Sequence, residues 1–219
     1  MKVRLVWTAL CLLPGGAMAQ TTATDDAGAE LVAAFVNDIV TLQGRFEQSL
    51  LDADGEVIER TSGTLEINRP GQFRWSYTTP YEQLLLADGL NIWSYDVDLA
   101  QVTVKPQQEA LANTPALLLG GSADALQQFN NEGSFIEAGT TWVRLAPKDT
   151  DSGFLRVDLG FKHDMLSRMV FYDNLEQMTL VALYDVVVNA PIEPQVFRFQ
   201  VPDDVDVVGT PAVAQAAIP

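Results

Sequence analysis

The sequence holds a single cysteine, Cys11, and a single histidine, His163, and its 13 Lys plus Arg are outnumbered by 29 Asp plus Glu, for a formal charge of −16 over 219 residues. One thiol and one imidazole cannot build a cysteine-based zinc site or a multi-histidine metal centre, so no metal is expected. The shortage of positive charge argues against nucleic acid and against anionic membrane surfaces, because both are polyanions that recruit Lys and Arg. No Gly-rich phosphate loop follows a strand pattern, and no cofactor is expected. Long apolar runs are missing too: nothing approaches the ~20 residues of a membrane span. Only 19% of the residues are charged while 47% are apolar, a balance that excludes disorder and provides for a core.

What is present begins with an address. Lys2 and Arg4 precede the apolar run Leu5 to Leu13, Pro14-Gly15-Gly16 breaks it, and Ala17-Met18-Ala19 supplies a small-x-small ending. This order of charged, apolar and cleavage regions is that of a secretory signal peptide, with cleavage expected after Ala19. Cys11 lies within the apolar run after Leu10, which disfavours a lipid-modified N-terminus. The expected division is a signal peptide over 1–19, one domain over 20–205 and a poorly ordered tail over 206–219. The mature protein then has no cysteine, and about 200 residues suffice to bury roughly 70% of the unfolded surface without disulfides.

Along the mature chain, Leu31, Phe35 and Ile39 with Val32, Val36 and Val40 recur at four-residue spacing, which predicts an amphipathic helix over 24–40. The period then changes to two. Phe46 to Leu51 and Val57 to Arg60 flank the hairpin signal Asp52-Ala53-Asp54-Gly55, and strands follow at 63–68, 73–77, 83–86, 91–95 and 101–104. Thr114, Pro115 and Ala116 to Leu119 have the order of a capped helix start, Gly120-Gly121 break it, and Ser122 opens a second short helix ending near Phe129. Further strands are expected at 142–146, 154–161, 167–172, 178–188 and 196–199. The sum is one α+β domain, a curved antiparallel sheet with helices against one face.

Catalytic signals are weak. Ser122 lacks the second glycine of a nucleophile elbow, His163 falls in a hairpin turn, and Asp96 with Asp98 form a turn between strands more readily than an acid-base pair. The chain is expected not to be an enzyme. It is rich instead in one-sided apolar rows: Phe73, Trp75 and Tyr77 share one face of their strand, as do Trp93 with Tyr95, Leu155 through Phe161 at alternate positions, and Met169 with Phe171. Two readings stay open, a filled core or an apolar hollow that the helices do not fill.

The segment Ser62 to Tyr77, containing Arg69-Pro70-Gly71-Gln72-Phe73-Arg74-Trp75, is followed by Pro80-Tyr81-Glu82-Gln83, Ala87-Asp88-Gly89, Ile92-Trp93-Ser94-Tyr95-Asp96 and Leu99-Ala100-Gln101-Val102. In that order these motifs resemble the periplasmic outer-membrane lipoprotein carrier family, LolA. Phe46 with Gln48 fits its first strand, and Thr114 to Leu118 fits its helical lid. The likeness is dense over 45–120 and persists in pattern to about residue 200, after which the tail departs from it. The resemblance implies an incomplete β-barrel whose helices form a lid over a concave apolar cavity for lipoprotein acyl chains. It also implies transfer from an inner-membrane ABC lipoprotein-releasing complex (LolCDE) to a receptor lipoprotein of the outer membrane (LolB), by a monomer in the periplasm. Arg69 is similar to the residue that latches the lid, Phe73 to the aromatic at the mouth and Leu85 to a residue of cargo release. Trp75, Trp93, Leu117 and Leu119 are further candidates for the cavity surface.

Without the resemblance, Arg69 before a proline reads as a solvated turn charge. Its five donors in a fixed fork would equally suit several carbonyls at once. The net charge opposes adsorption to anionic bilayers, and an acidic proteome would produce the same balance. The competing functional reading is a periplasmic lipid- or lipoprotein-sensing regulatory module of the same fold. A lipid-modifying enzyme is disfavoured by the lack of a nucleophile and base.

Overall fold

The computed structural model describes residues 22–107, 120, 123–149 and 152–213. The helix α1 (Thr22–Asn37) precedes a run of strands. These are β1 (Thr41–Leu51), β2 (Val57–Asn68), β3 (Gln72–Thr79), β4 (Gln83–Asp88), β5 (Asn91–Asp96) and β6 (Gln101–Pro106). A second run comprises β7 (Phe129–Glu137), β8 (Thr140–Pro147), β9 (Phe154–Lys162), β10 (Met165–Asp173) and β11 (Met178–Val188), and β12 (Asp206–Val208) closes the order. Each run is an antiparallel meander, because turns such as Asp88-Gly89 permit only short reversals. Pairing of β1 with β11 welds the two into one sheet of twelve strands among the described residues. Register shifts at Gln43/Arg45, Ser62/Gly63, Asn131/Ser134 and Leu166/Arg168 bend it, since a bulge adds a residue to one strand and increases its twist. At Gly63 the strands come so close that a Cβ would stand 1.8 Å from the Ser76 carbonyl oxygen. The curled sheet does not close: β12 and β7 remain its two edges.

The concave face carries the main core. Val32, Phe35 and Val36 of α1 pack with Leu42, Phe46, Leu65, Ile67, Phe73, Val143, Leu159, Phe161, Met169 and Val181. The Phe35 and Phe161 rings meet edge to face at 6.3 Å. The amphipathic helix read from the sequence thus exists, with Val40 left outside it and exposed. Of the two helices expected in the middle segment, the second corresponds to a 3-10 helix at Ala123–Gln128, while 114–119 of the first lies outside the described residues.

Several elements differ from the sequence reading for identifiable reasons. β7 is absent from that reading because Asn-Asn-Glu-Gly-Ser offers no apolar alternation; as an edge strand with most residues exposed, it needs little. In β9 the row Leu155 to Phe161 is broken by a register shift, so Phe154 is 5% exposed and Leu155 58%. The strand expected at 196–199 is a 3-10 turn, Pro194–Phe197, running into extended chain. The tail expected to be poorly ordered contributes β12, which pairs in parallel with β6, and Ala212 exchanges two hydrogen bonds with the Asn91 side chain at 2.6 and 3.0 Å.

That returning chain seals the convex side of the first meander. Leu86, Val102, Val104 and Phe197 are buried there, and Phe199 stacks on Trp93 with ring centroids 5.1 Å apart. Arg74 Nη1 donates to the Val196 carbonyl at 3.3 Å. The sheet is therefore apolar on both faces between β3 and β6, with a different cover on each. Phe197→Ala is expected to lower stability by about 3 kcal/mol, the usual cost of emptying a buried aromatic site. Urea unfolding should show an earlier midpoint, while α1 keeps its contacts to the opposite face.

Candidate functional site

Alternation along β3 directs Phe73, Trp75 and Tyr77 to the concave face, and register carries the same face to its neighbours. Phe73 lies opposite Ile67 and Ala87, Trp75 opposite Leu65 and Leu85. The Phe46 ring stands 4.8 Å from Trp75 and 5.2 Å from Tyr77, and Trp75 stacks on Tyr77 at 6.4 Å. Leu85 is half-buried at the border of this cluster. Four of the sequence candidates, Arg69, Phe73, Trp75 and Leu85, are thus brought to one side of the molecule.

Trp93 is not among them. It lies opposite Leu86 and Val104 on the sealed convex side, stacked on Phe199, and its indole Nε1 donates to Asp88 Oδ2 at 2.7 Å. Its expected place in the cavity is corrected accordingly. Leu117 and Leu119 lie outside the described residues.

Arg69 sits at the end of β2 and is buried. Its Nη1 donates to the carbonyls of Phe35 at 3.1 Å and Ile39 at 2.7 Å, and its guanidinium lies 4.5 Å from the centre of the Phe35 ring. The physical reason is at the helix end. The last carbonyls of a helix lack intrahelical partners and carry partial negative charge. The last turn of α1 contains no basic residue. Arg69 supplies the missing cation from another element, so the plain reading as a solvated turn charge does not hold. Burial pushes its pKa down to about 10, which still leaves the guanidinium charged at neutral pH.

Two residues beyond Arg69, the backbone of Gly71 bonds to two residues of the β6–β7 connection. Gly71 N–H donates to the Gly120 carbonyl at 2.7 Å, and the Gly71 carbonyl accepts from Gln107 Nε2 at the same distance. Gln107 also accepts from Gly89 N–H at 3.1 Å, tying the β2–β3 and β4–β5 turns together. Gly120 packs on Phe73: a Cβ there would stand 2.8 Å from the ring. The sequence offered Gly71 only as a turn residue and gave no sign of Gln107, whose partners are 18 and 36 residues away.

The other polar candidates have turn roles. Asp96 accepts from Leu99 N–H at 3.0 Å and from Gln83 Nε2 at 2.9 Å, while His163 and Asp164 hold positive φ in the β9–β10 turn. Ser122 lies outside the described residues.

With this geometry in hand, comparison with known proteins is informative. The family model described as "Outer membrane lipoprotein carrier protein LolA" matches residues 37–200. An outer-membrane lipoprotein carrier protein of Nitrosomonas europaea is 40% identical over 175 residues, covering 80% of this chain and 85% of that protein. One from Chromohalobacter salexigens is 35% identical over 211 residues, covering 94% and 96%. Among solved structures, a LolA superfamily protein of Nitrosomonas europaea superposes with a TM-score of 0.50 at 10% identity, covering 80% of this chain and 98% of its own. An uncharacterized conserved protein of Thermus thermophilus gives the same score at 16% identity, covering 84% and 97%; these two likenesses concern the fold. By the extent of the family match and by its identity to relatives across most of their length, the chain belongs to the LolA family of outer membrane lipoprotein carrier proteins.

Proposed function

We propose that this protein shields the acyl chains of lipoproteins and carries them through the periplasm from the inner membrane to the outer. The observation that carries the reading is the concave apolar face of an unclosed sheet, with Phe73, Trp75 and Leu85 on it and α1 held across it by Arg69. Family membership and a secretory leader ending near Ala19 support it. Each acyl methylene exposed to water costs about 0.8 kcal/mol, so a lipoprotein crossing an aqueous compartment needs such a cover. Leu117 and Leu119 are proposed to add to the same surface. The donor is proposed to be an inner-membrane ABC releasing complex and the acceptor an outer-membrane receptor lipoprotein, with the carrier working as a monomer and hydrolysing nothing itself.

Release needs a driving contribution that loading stores. In the proposed cycle, acyl chains entering beneath α1 displace its C-terminal end from Arg69, and the hydrogen bonds to Phe35 and Ile39 re-form when cargo leaves. Bonds from a charged donor net about 1.5–3 kcal/mol each, enough to favour the closed empty state and small enough for cargo to break. Hand-over then runs downhill to a receptor with better contacts.

Native mass spectrometry of the protein isolated from the periplasm should find intact lipoprotein bound to a fraction of the molecules. Protein that is always empty, or that carries only lipid fragments, contradicts the proposal. Arg69→Leu should retain its cargo and transfer it to the receptor about tenfold more slowly or worse, from the loss of those bonds. In the empty variant, amide exchange in the last turn of α1 should rise in parallel. Wild-type transfer by Arg69→Leu would remove the latch from the scheme while leaving the carrier role standing.

A further inference from the structure

The concave face has a polar corner that apolar packing does not account for. Trp75 is 7% exposed, and its indole Nε1–H is buried with no hydrogen-bond partner among the described residues. The Thr61 hydroxyl is likewise buried and unpartnered among the described residues. Register puts Thr61 opposite Gln48 on β1, and puts Gly63, two residues along, opposite both Phe46 and Tyr77, so all of these share the concave face. The Tyr77 hydroxyl donates to Gln48 Oε1 at 3.4 Å. Three adjacent strands thus collect four polar groups on an otherwise apolar surface. Thr61, Gln48 and Tyr77 lie toward the end of the strands opposite Arg69, with Trp75 between them and Phe73.

A buried donor left without an acceptor is destabilising, and native structures hold few of them. The chemistry of this set is one-sided. Indole Nε1–H can only donate, Gln48 has its carbonyl engaged and its amide N–H groups to offer, and a threonine hydroxyl donates readily. Burial pushes the Tyr77 pKa up to about 12, so its hydroxyl stays neutral, and the charge that bears on it is the acidic Glu59. Neutral donors beside a carboxylate suit an uncharged carbonyl oxygen and disfavour a phosphate.

We infer that this corner seats an acyl carbonyl, the ester or amide C=O at the head of a fatty chain, which accepts a hydrogen bond from Trp75 Nε1–H. Thr61 and Gln48 are its neighbouring donors. The methylenes beyond the carbonyl lie along Phe46, Leu65 and Leu85. The inference rests on the carrier reading and deepens it: the apolar face supplies affinity without register, and the polar corner fixes how far along the face a chain lies.

The test uses the full mature chain labelled with 15N at its indole nitrogens, the Trp75 signal being assigned from Trp75→Phe. Ligands are 1-monolauroylglycerol, lauramide, dodecane and lauryl phosphate. The ester or the amide, or both, should move the Trp75 N–H resonance downfield, and dodecane should bind without moving it. Movement with only one of the two carbonyl ligands assigns the seat to that linkage. Trp75→Phe should lose about tenfold in affinity for the carbonyl ligands, as expected when one buried hydrogen bond is removed, and keep its affinity for dodecane. An unmoved resonance with bound ester and amide, equal loss for dodecane, or tighter binding of lauryl phosphate than of the ester overturns the inference while leaving the apolar face in place. If dodecane and the carbonyl ligands all fail to bind, the carrier reading falls with it.

Discussion

The described strands form one sheet that curls without closing, and its apolar concave face has no second sheet over it among the described residues; the arrangement of the other described elements follows from that constraint. Closing the barrel would remove both the edges and the opening. Here β12 and β7 stay apart, and α1 packs against the concave face. A helix of sixteen residues adds only a few side chains to such a face, Val32, Phe35 and Val36 foremost. α1 also packs along β7 and β8, and Arg69 adds two hydrogen bonds at its C-terminal end, to the carbonyls of Phe35 in its last turn and of Ile39 just beyond it. The cation does what a lysine or arginine within α1 would do for the helix end, with the difference that it also ties the helix to the sheet.

The convex side explains why only one face is left available. From β3 to β6 that side is as apolar as the concave one, and the chain after β11 returns to bury it through Phe197, Phe199 and the short strand β12. Arg74 and Asn91 fasten this returning segment by hydrogen bonds to backbone carbonyls at Val196 and Ala212. The two faces therefore differ in how they are covered. The back is sealed by side chains inserted from a segment paired with the sheet, while the front is bridged by a helix.

These differences decide what the sequence can reveal. The alternation of Phe73, Trp75 and Tyr77 is legible because Arg74 and Ser76 between them are polar, and the resemblance to the LolA family rests on the same run. Trp93 misleads because its neighbouring strand reads Leu84-Leu85-Leu86-Ala87, apolar at every position, so alternation cannot say which face is which. Only the pairing of Leu86 with Trp93 and of Leu85 with Ser94 settles it. β7 escapes notice because an exposed edge has no need of an apolar row. The carbonyls that Arg69 reaches and the backbone groups of Gly71 and Gly89 that Gln107 ties together are invisible in sequence for another reason: every residue possesses such groups, so no side-chain pattern marks them.

Arg69, Gly71 and Phe73 occupy one short stretch, and that proximity has mechanical content. The first is bonded to the end of α1, the second to Gln107 and Gly120 of the β6–β7 connection, and the third supports Gly120 on its ring. A chain passing beneath the helix beside Phe73 cannot shift one of these contacts without loading the others, because the backbone between them spans only a few residues of a paired turn. The opposite end of the face is built differently. Gln48, Thr61 and Tyr77 lie on long strands paired on both sides, where the sheet resists displacement. Movement is thus favoured at the turn and resisted at the polar corner, so a guest that enters at the turn and reaches the corner spans both the part that yields and the part that does not.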